Sequence, residues 1–147
     1  MFRGNHPTRM DDKGRLKVPA DFKREIEEKF SSQQFYVTSI DGRRALLYPM
    51  EEWERFEQKL AALPSLNPTK QKLLNRTNYY GQAVEMDGQG RLTIPGLLRE
   101  AAEIKGEVAV MGFLTYLEVR NMEQLKGEIE QSPFTAEDEK TLSDLGI

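Results

Sequence analysis

A ten-residue block near the N-terminus returns in the middle of the chain, and this recurrence constrains the fold more than any other feature of the 147 residues. Met10-Asp11-Asp12-Lys13-Gly14-Arg15-Leu16-Lys17-Val18-Pro19 aligns with Met86-Asp87-Gly88-Gln89-Gly90-Arg91-Leu92-Thr93-Ile94-Pro95 at an offset of 76 residues, with six of ten positions identical. Identity over so short a window does not establish a duplication; the order of elements around it carries more weight. Each block runs into a helix-forming stretch, residues 21–29 and 97–105, then a β-rich stretch, then a second helix start. In the first copy residues 35–40 have strand composition, Asp41-Gly42 is a hairpin-turn signal, residues 45–48 return, and Pro49 opens a helix over 50–62. In the second, residues 108–111 and 116–119 take the strand roles and Asn121-Met122-Glu123-Gln124 reads as a capping-box helix start.

Pro64-Ser65-Leu66-Asn67-Pro68 separates the copies, with Asn67 as N-cap and Pro68 at the first position of a connector helix over 69–78. Its Lys70, Lys72 and Arg76 are read as a solvated face ahead of a phosphate contact. The division expected is therefore 1–64, a connector 65–78, and 79–147, the last ending in a helix capped by Thr135 with acids at its positive end. Trp53, Phe56 and Leu60 fall at helical spacing and are read as core or an oligomer contact, Phe2 as packing onto the body of the fold, and His6 as an exposed or turn residue.

Composition narrows the function. Zero cysteines and a single histidine remove disulfides, thiolate and His-rich metal sites and a cysteine nucleophile. No Gly-rich phosphate loop and no nucleophile with a partner can be found, so no catalytic residue, cofactor, metal or small-molecule substrate is expected and the chain reads as not an enzyme. No run approaches the ~18 apolar residues of a membrane span and the N-terminus has no signal-peptide pattern, so a cytoplasmic protein without a membrane partner is expected.

The net charge of −3 argues against a nucleic-acid partner, but its distribution reverses that. Residues 1–24 carry Arg3, Arg9, Lys13, Arg15, Lys17, Lys23 and Arg24 against Asp11, Asp12 and Asp21, a net of +4, which leaves −7 for the remainder. Alternation along Arg15-Leu16-Lys17-Val18 puts Leu16 and Val18 on one face and the two cations on the other. Asp11 can accept backbone N–H bonds of the following turn, Gly14 can take a positive φ, and Arg15 then leaves a tight hairpin at the start of the next strand. An arginine so presented suits the guanine O6 and N7 acceptors of a major groove. The same letters also make a satisfactory hairpin in which Arg15 pairs with Asp11 merely to hold it, and the motif alone leaves both roles open.

Phe2-Arg3-Gly4, Asp11-x-Lys13-Gly14-Arg15-Leu16-x-Val18-Pro19 and Asp87-x-Gln89-Gly90-Arg91-Leu92-x-Ile94-Pro95-x-x-Leu98-Arg99-Glu100 together resemble the MraZ proteins over essentially the whole chain. The resemblance implies an α+β fold of the AbrB/MazE type, tandem AbrB-like units whose swapped strands form a double-split β-barrel with flanking helices. It also implies a DNA-binding transcriptional regulator, generally a repressor of the bacterial division and cell-wall gene cluster, that binds G-rich direct repeats of double-stranded DNA as a ring-like homo-oligomer at the nucleoid.

By motif match, Asp11, Gly14, Asp87 and Gly90 organise the turns, Arg15 and Arg91 contact bases or phosphates, and Lys13, Lys17, Arg3 and Arg9 add phosphate contacts. The copies are unequal: residues 3–17 carry +3 and residues 79–93 carry −1, Gln89 and Thr93 standing where the first copy has Lys13 and Lys17. The first copy is therefore expected to supply most of the electrostatic affinity. A competing expectation is an AbrB/MazE-type protein-binding assembly module or antitoxin, whose working surface would be the acidic C-terminal part.

Overall fold

The computed structural model describes residues 1–147. Its strands are β1 (Asn5–Arg9), β2 (Arg15–Lys17), β3 (Gln34–Thr38), β4 (Ala45–Pro49), β5 (Gln82–Glu85), β6 (Arg91–Thr93), β7 (Glu107–Phe113) and β8 (Tyr116–Asn121). The helices are α1 (Ala20–Lys29), α2 (Met50–Ala61), α3 (Pro68–Tyr79), α4 (Gly96–Ala102), α5 (Met122–Gln131) and α6 (Ala136–Asp144). The architecture is α+β, with one main antiparallel sheet in the order β1-β7-β8-β4-β3-β5 and a separate two-stranded pair, β2-β6. None of the helices is long and apolar enough to cross a membrane.

The ladders cross the sequence boundaries expected from the repeat. β1 pairs with β7 from the second half, and β5 from the second half pairs with β3. β2 lies against β6 with Leu16 opposite Leu92, Arg15 opposite Thr93 and Lys17 opposite Arg91, a register unchanged when the two strands are exchanged by the 76-residue offset. The bonds beyond the ladder keep that exchange: Val18 N donates to Gly90 O at 2.8 Å and Ile94 N to Gly14 O at 3.0 Å. β4 and β8 meet symmetrically as well, with Leu46 opposite Glu118 at the centre.

Alternation explains why β2 and β6 sit where they do. Leu16 and Leu92 are fully buried, as are Val18 and Ile94 one step on, and all four join a core with Phe22, Ile26, Phe35, Leu47, Leu98, Val110 and Leu117. Because this core draws on both halves of the chain, neither half closes its apolar surface without the other. Phe2 belongs to it too, bridging to Leu114 and meeting Phe22 edge-on at 5.7 Å.

Local signals place most helices. Asn67 Oδ1 accepts from the backbone N–H groups of Thr69 and Lys70 at 2.9 and 3.1 Å, with Pro68 at the first helical position. Thr135 and Asp138 form a full capping box at the start of α6. Trp53 is buried against Tyr36, ring centroids 4.6 Å apart, and Leu60 is buried on the same helix while Phe56 stays half-buried.

Four expectations need correction. The Asp11-to-Arg15 segment is not the tip of a hairpin, because β1 is bonded to β7 while β2 is bonded to β6. The helix expected over 97–105 stops at Ala102, since Glu103 turns left-handed (φ 53°) and Ile104 is drawn into the core. Asn121 caps Gln124 N, but the Gln124 side chain bonds Glu103 and does not return to the N-cap, so only half of the expected box exists. His6 is neither a turn nor an exposed residue: it lies in β1, half-buried, with its ring edge-on to Phe22 at 4.7 Å.

Candidate nucleic-acid interface

The turn before β2 is built by one carboxylate. Asp11 Oδ1 accepts from Lys13 N at 3.0 Å and Arg15 N at 2.8 Å, while Oδ2 accepts from Arg15 Nε at 2.6 Å. Gly14 N donates to Asp11 O, and Asp11 N to Arg15 O, closing the loop. Gly14 sits at φ +75°, a left-handed value that costs a residue with a Cβ of order 1 kcal/mol or more.

The turn before β6 repeats this bond for bond. Asp87 Oδ1 accepts from Gln89 N and Arg91 N, both at 2.9 Å, Oδ2 accepts from Arg91 Nε at 2.8 Å, and Gly90 stands at φ +77°. These donors favour the charged carboxylate. The Arg91 backbone N–H, followed by its guanidinium, holds Asp87 down at about 2, and Asp11 is lowered in the same direction, first by the backbone N–H of Arg15.

In both turns the carboxylate grips Nε and leaves the two Nη groups without a partner in the chain. One arginine can thus hold the turn and still keep donors unpaired within the chain. Arg15 and Arg91 have side chains 27% and 28% exposed, so the two are equally accessible.

On the outer face of the β2-β6 ribbon, Arg15, Lys17, Arg91 and Thr93 stand together above Leu16 and Leu92. Lys17 is directly opposite Arg91, and like charges so placed repel. Asp87 pairs with Arg91 from the turn, but Lys17 forms no ion pair, nor do Lys13, Arg3 and Arg9, all exposed. Such a face gains from an anion that can meet several cations at once. Arg3 precedes β1 and Arg9 ends it, opposite Glu107 at the edge of the main sheet, so both lie on a different ladder from Arg15 and Lys17.

The connector cations are mostly engaged: Lys70 Nζ donates to Leu63 O at 2.9 Å and an Nη of Arg76 to Ile40 O at 3.0 Å, which leaves Lys72 free. Two residues with a place at the turns escaped the sequence reading. Arg99 lays its guanidinium over Gly14, and Lys23 runs its stem past Gly90. The signal was present, since Lys23 and Arg99 are themselves 76 residues apart and both cationic.

Comparison with known proteins meets this geometry from another side. The family model described as "MraZ protein, putative antitoxin-like" matches residues 1–76 and 81–145. The chain belongs to the MraZ family. It is similar to the transcriptional regulator MraZ of Koribacter versatilis (strain Ellin345), 84% identical over 147 residues that cover the whole of both chains. It is also similar to that of Acidobacterium capsulatum, 58% identical over the whole of both. The MraZ of Haemophilus influenzae (strain PittEE) is 37% identical over 119 residues, 81% of this chain and 79% of its own. These MraZ relatives carry the name of a regulator and not of an enzyme.

Proposed function

We propose that this MraZ-family chain is a sequence-specific DNA-binding transcriptional regulator, and that the β2-β6 ribbon is its reading surface. The observation that carries this is the carboxylate grip on Nε in both turns, which leaves the Nη donors of Arg15 and of Arg91 without a partner in the chain. Such a fork matches guanine O6 and N7, at roughly 1–3 kcal/mol of discrimination per bidentate pair. Lys17 and Lys13 add phosphate contacts beside Arg15, and Arg3 and Arg9 extend the positive surface along β1. Asp11, Gly14, Asp87 and Gly90 hold the turns.

The fuller reading follows the family resemblance. Residues 1–64 and 79–147 are two AbrB-like units joined by 65–78, their exchanged strands making a double-split barrel; the symmetric registers of β2-β6 and β4-β8 support it. The protein acts in the cytoplasm at the nucleoid, as a repressor of the division and cell-wall gene cluster, binding G-rich direct repeats as a ring-like homo-oligomer. Head-to-tail subunits in a ring present equivalent ribbons to repeats about one helical turn (~10 bp) apart.

Duplex DNA from upstream of the organism's division genes, titrated across a salt series, tests the reading. Binding that weakens steeply with salt, with a greater loss for Arg15→Ala than for Arg91→Ala, is expected; no binding at low salt overturns it. A second reading has one observation in its favour, the wholly exposed acid-rich face of α6: a protein-binding module of the antitoxin type. It predicts a stoichiometric protein partner lost on removal of residues 132–147, with no salt-sensitive DNA binding.

A further inference from the structure

The 76-residue offset that relates Arg15 to Arg91 also relates Lys23 to Arg99, and each of these cations reaches the turn of the other copy. Arg99, on α4, covers Gly14 so closely that a Cβ there would stand 2.3 Å from Arg99 Cζ and 2.5 Å from its Nε. Lys23, on α1, passes Gly90 with Cδ and Cε at 3.1 and 3.3 Å from the corresponding point. The two glycines therefore serve twice, once by their positive φ and once by leaving room for a cation from across the pseudo-symmetric pair.

The chemistry of Arg99 is that of a placed but unused donor. Its Nε donates to Ile94 O at 2.8 Å, which fixes the plane of the guanidinium. It is half-buried and has no carboxylate partner, although the Asp11–Arg15 pair lies at the same turn. Lys23 has only a loose contact with Glu27, 3.6 Å on its own helix. Neither cation is held by an acid of the turn it reaches.

We propose that Arg99 and Lys23 are phosphate-contacting residues of the DNA interface, each supplied by one copy to the reading turn of the other, Arg99 beside Arg15 and Lys23 beside Arg91. This rests on the DNA-binding reading given above. Placement at the ends of the ribbon, outside the row formed by Arg15, Lys17 and Arg91, suits backbone contacts and not base edges. The exchange also alters the balance between copies. The second copy, net −1 over residues 79–93, receives Lys23 from the basic N-terminal segment.

The test is the salt dependence of binding to a mixed-sequence duplex and to the upstream duplex, using the full chain. Each lost phosphate contact lowers the slope of log K against log salt by about one. Arg99→Gln and Lys23→Gln should each lower it by that amount and weaken binding equally on both duplexes, whereas Arg99→Lys keeps the wild-type slope. An unchanged slope for both glutamine variants, with or without a loss of affinity, overturns the proposal while leaving the DNA-binding reading intact. Absence of salt-sensitive binding by the wild type overturns that reading first. Thermal unfolding of each variant reports the fold, and Lys23→Gln alone decides the matter if Arg99→Gln does not fold.

Discussion

The turn at 11–15 and the turn at 87–91 share every backbone and carboxylate hydrogen bond yet differ in charge, Gln89 and Thr93 standing at the sequence positions that match Lys13 and Lys17. The difference teaches that presenting an arginine and attracting DNA are separable tasks. The Asp, Gly and Arg that set the geometry stand in both turns, whereas the lysines stand in one. The structure then joins what the sequence separates: Lys17 of the first copy lies opposite Arg91 of the second, so the two turns act on a single face.

The comparison can be broken first at its apolar base. Leu16 and Leu92 face each other fully buried, and Leu16→Ala or Leu92→Ala should each cost ~2–5 kcal/mol. Denaturant unfolding should find the two costs nearly equal, and a several-fold inequality would break the pseudo-symmetry. Next comes the reading itself: Arg15→Ala should lose ~1–3 kcal/mol of binding to a cognate site, and Arg91→Ala less, because its own turn carries Gln89 where the first carries Lys13. A larger loss from Arg91→Ala would invert the assignment of the copies.

Gly14→Ala and Gly90→Ala should each lose ~1 kcal/mol or more of stability from φ values of +75° and +77°. The first should lose more, since the new Cβ must also displace the Arg99 guanidinium. The smallest effect is acid-linked. Asp87 is held at about 2 against an ordinary 3.8, so its contribution is present above the ordinary value and is lost as pH falls through that window. Asp87→Asn should flatten the acid limb of the stability profile between those values, and a profile parallel to wild type would show that the carboxylate does not hold the turn.

Much of this was legible in the sequence because it is local. Period-two alternation puts Leu16 and Val18 on the packed face, where the structure has them, and the turn chemistry of Asp11 and Gly14 depends on neighbours within four residues. The pairing of β2 with β6 was hidden, because a three-residue strand carries no record of its distant partner and the turn signal suggested the nearer one. The end of α4 was hidden likewise: Glu103, Ile104 and Lys105 have helical composition, and only burial of Ile104 pulls the chain away.

Two charged residues of β8, Glu118 and Arg120, are buried; Arg120 pairs with Glu128 of α5, and burial raises the Glu118 carboxyl above its usual range. Lys23 and Arg99 were missed because their partners lie across the pseudo-symmetric pair, beyond any window along the chain.

The central claim is that one ribbon face, built from both copies, binds DNA, and Lys17→Glu tests it most directly. The new carboxylate would stand opposite Arg91 and replace a like-charge contact by an ion pair, so thermal stability should hold or rise. DNA affinity at fixed salt should fall by tenfold or more, because an acid then sits between Arg15 and Arg91 on the reading face. A stably folded Lys17→Glu protein that binds the upstream duplex as well as wild type, with the same salt dependence, would contradict the account.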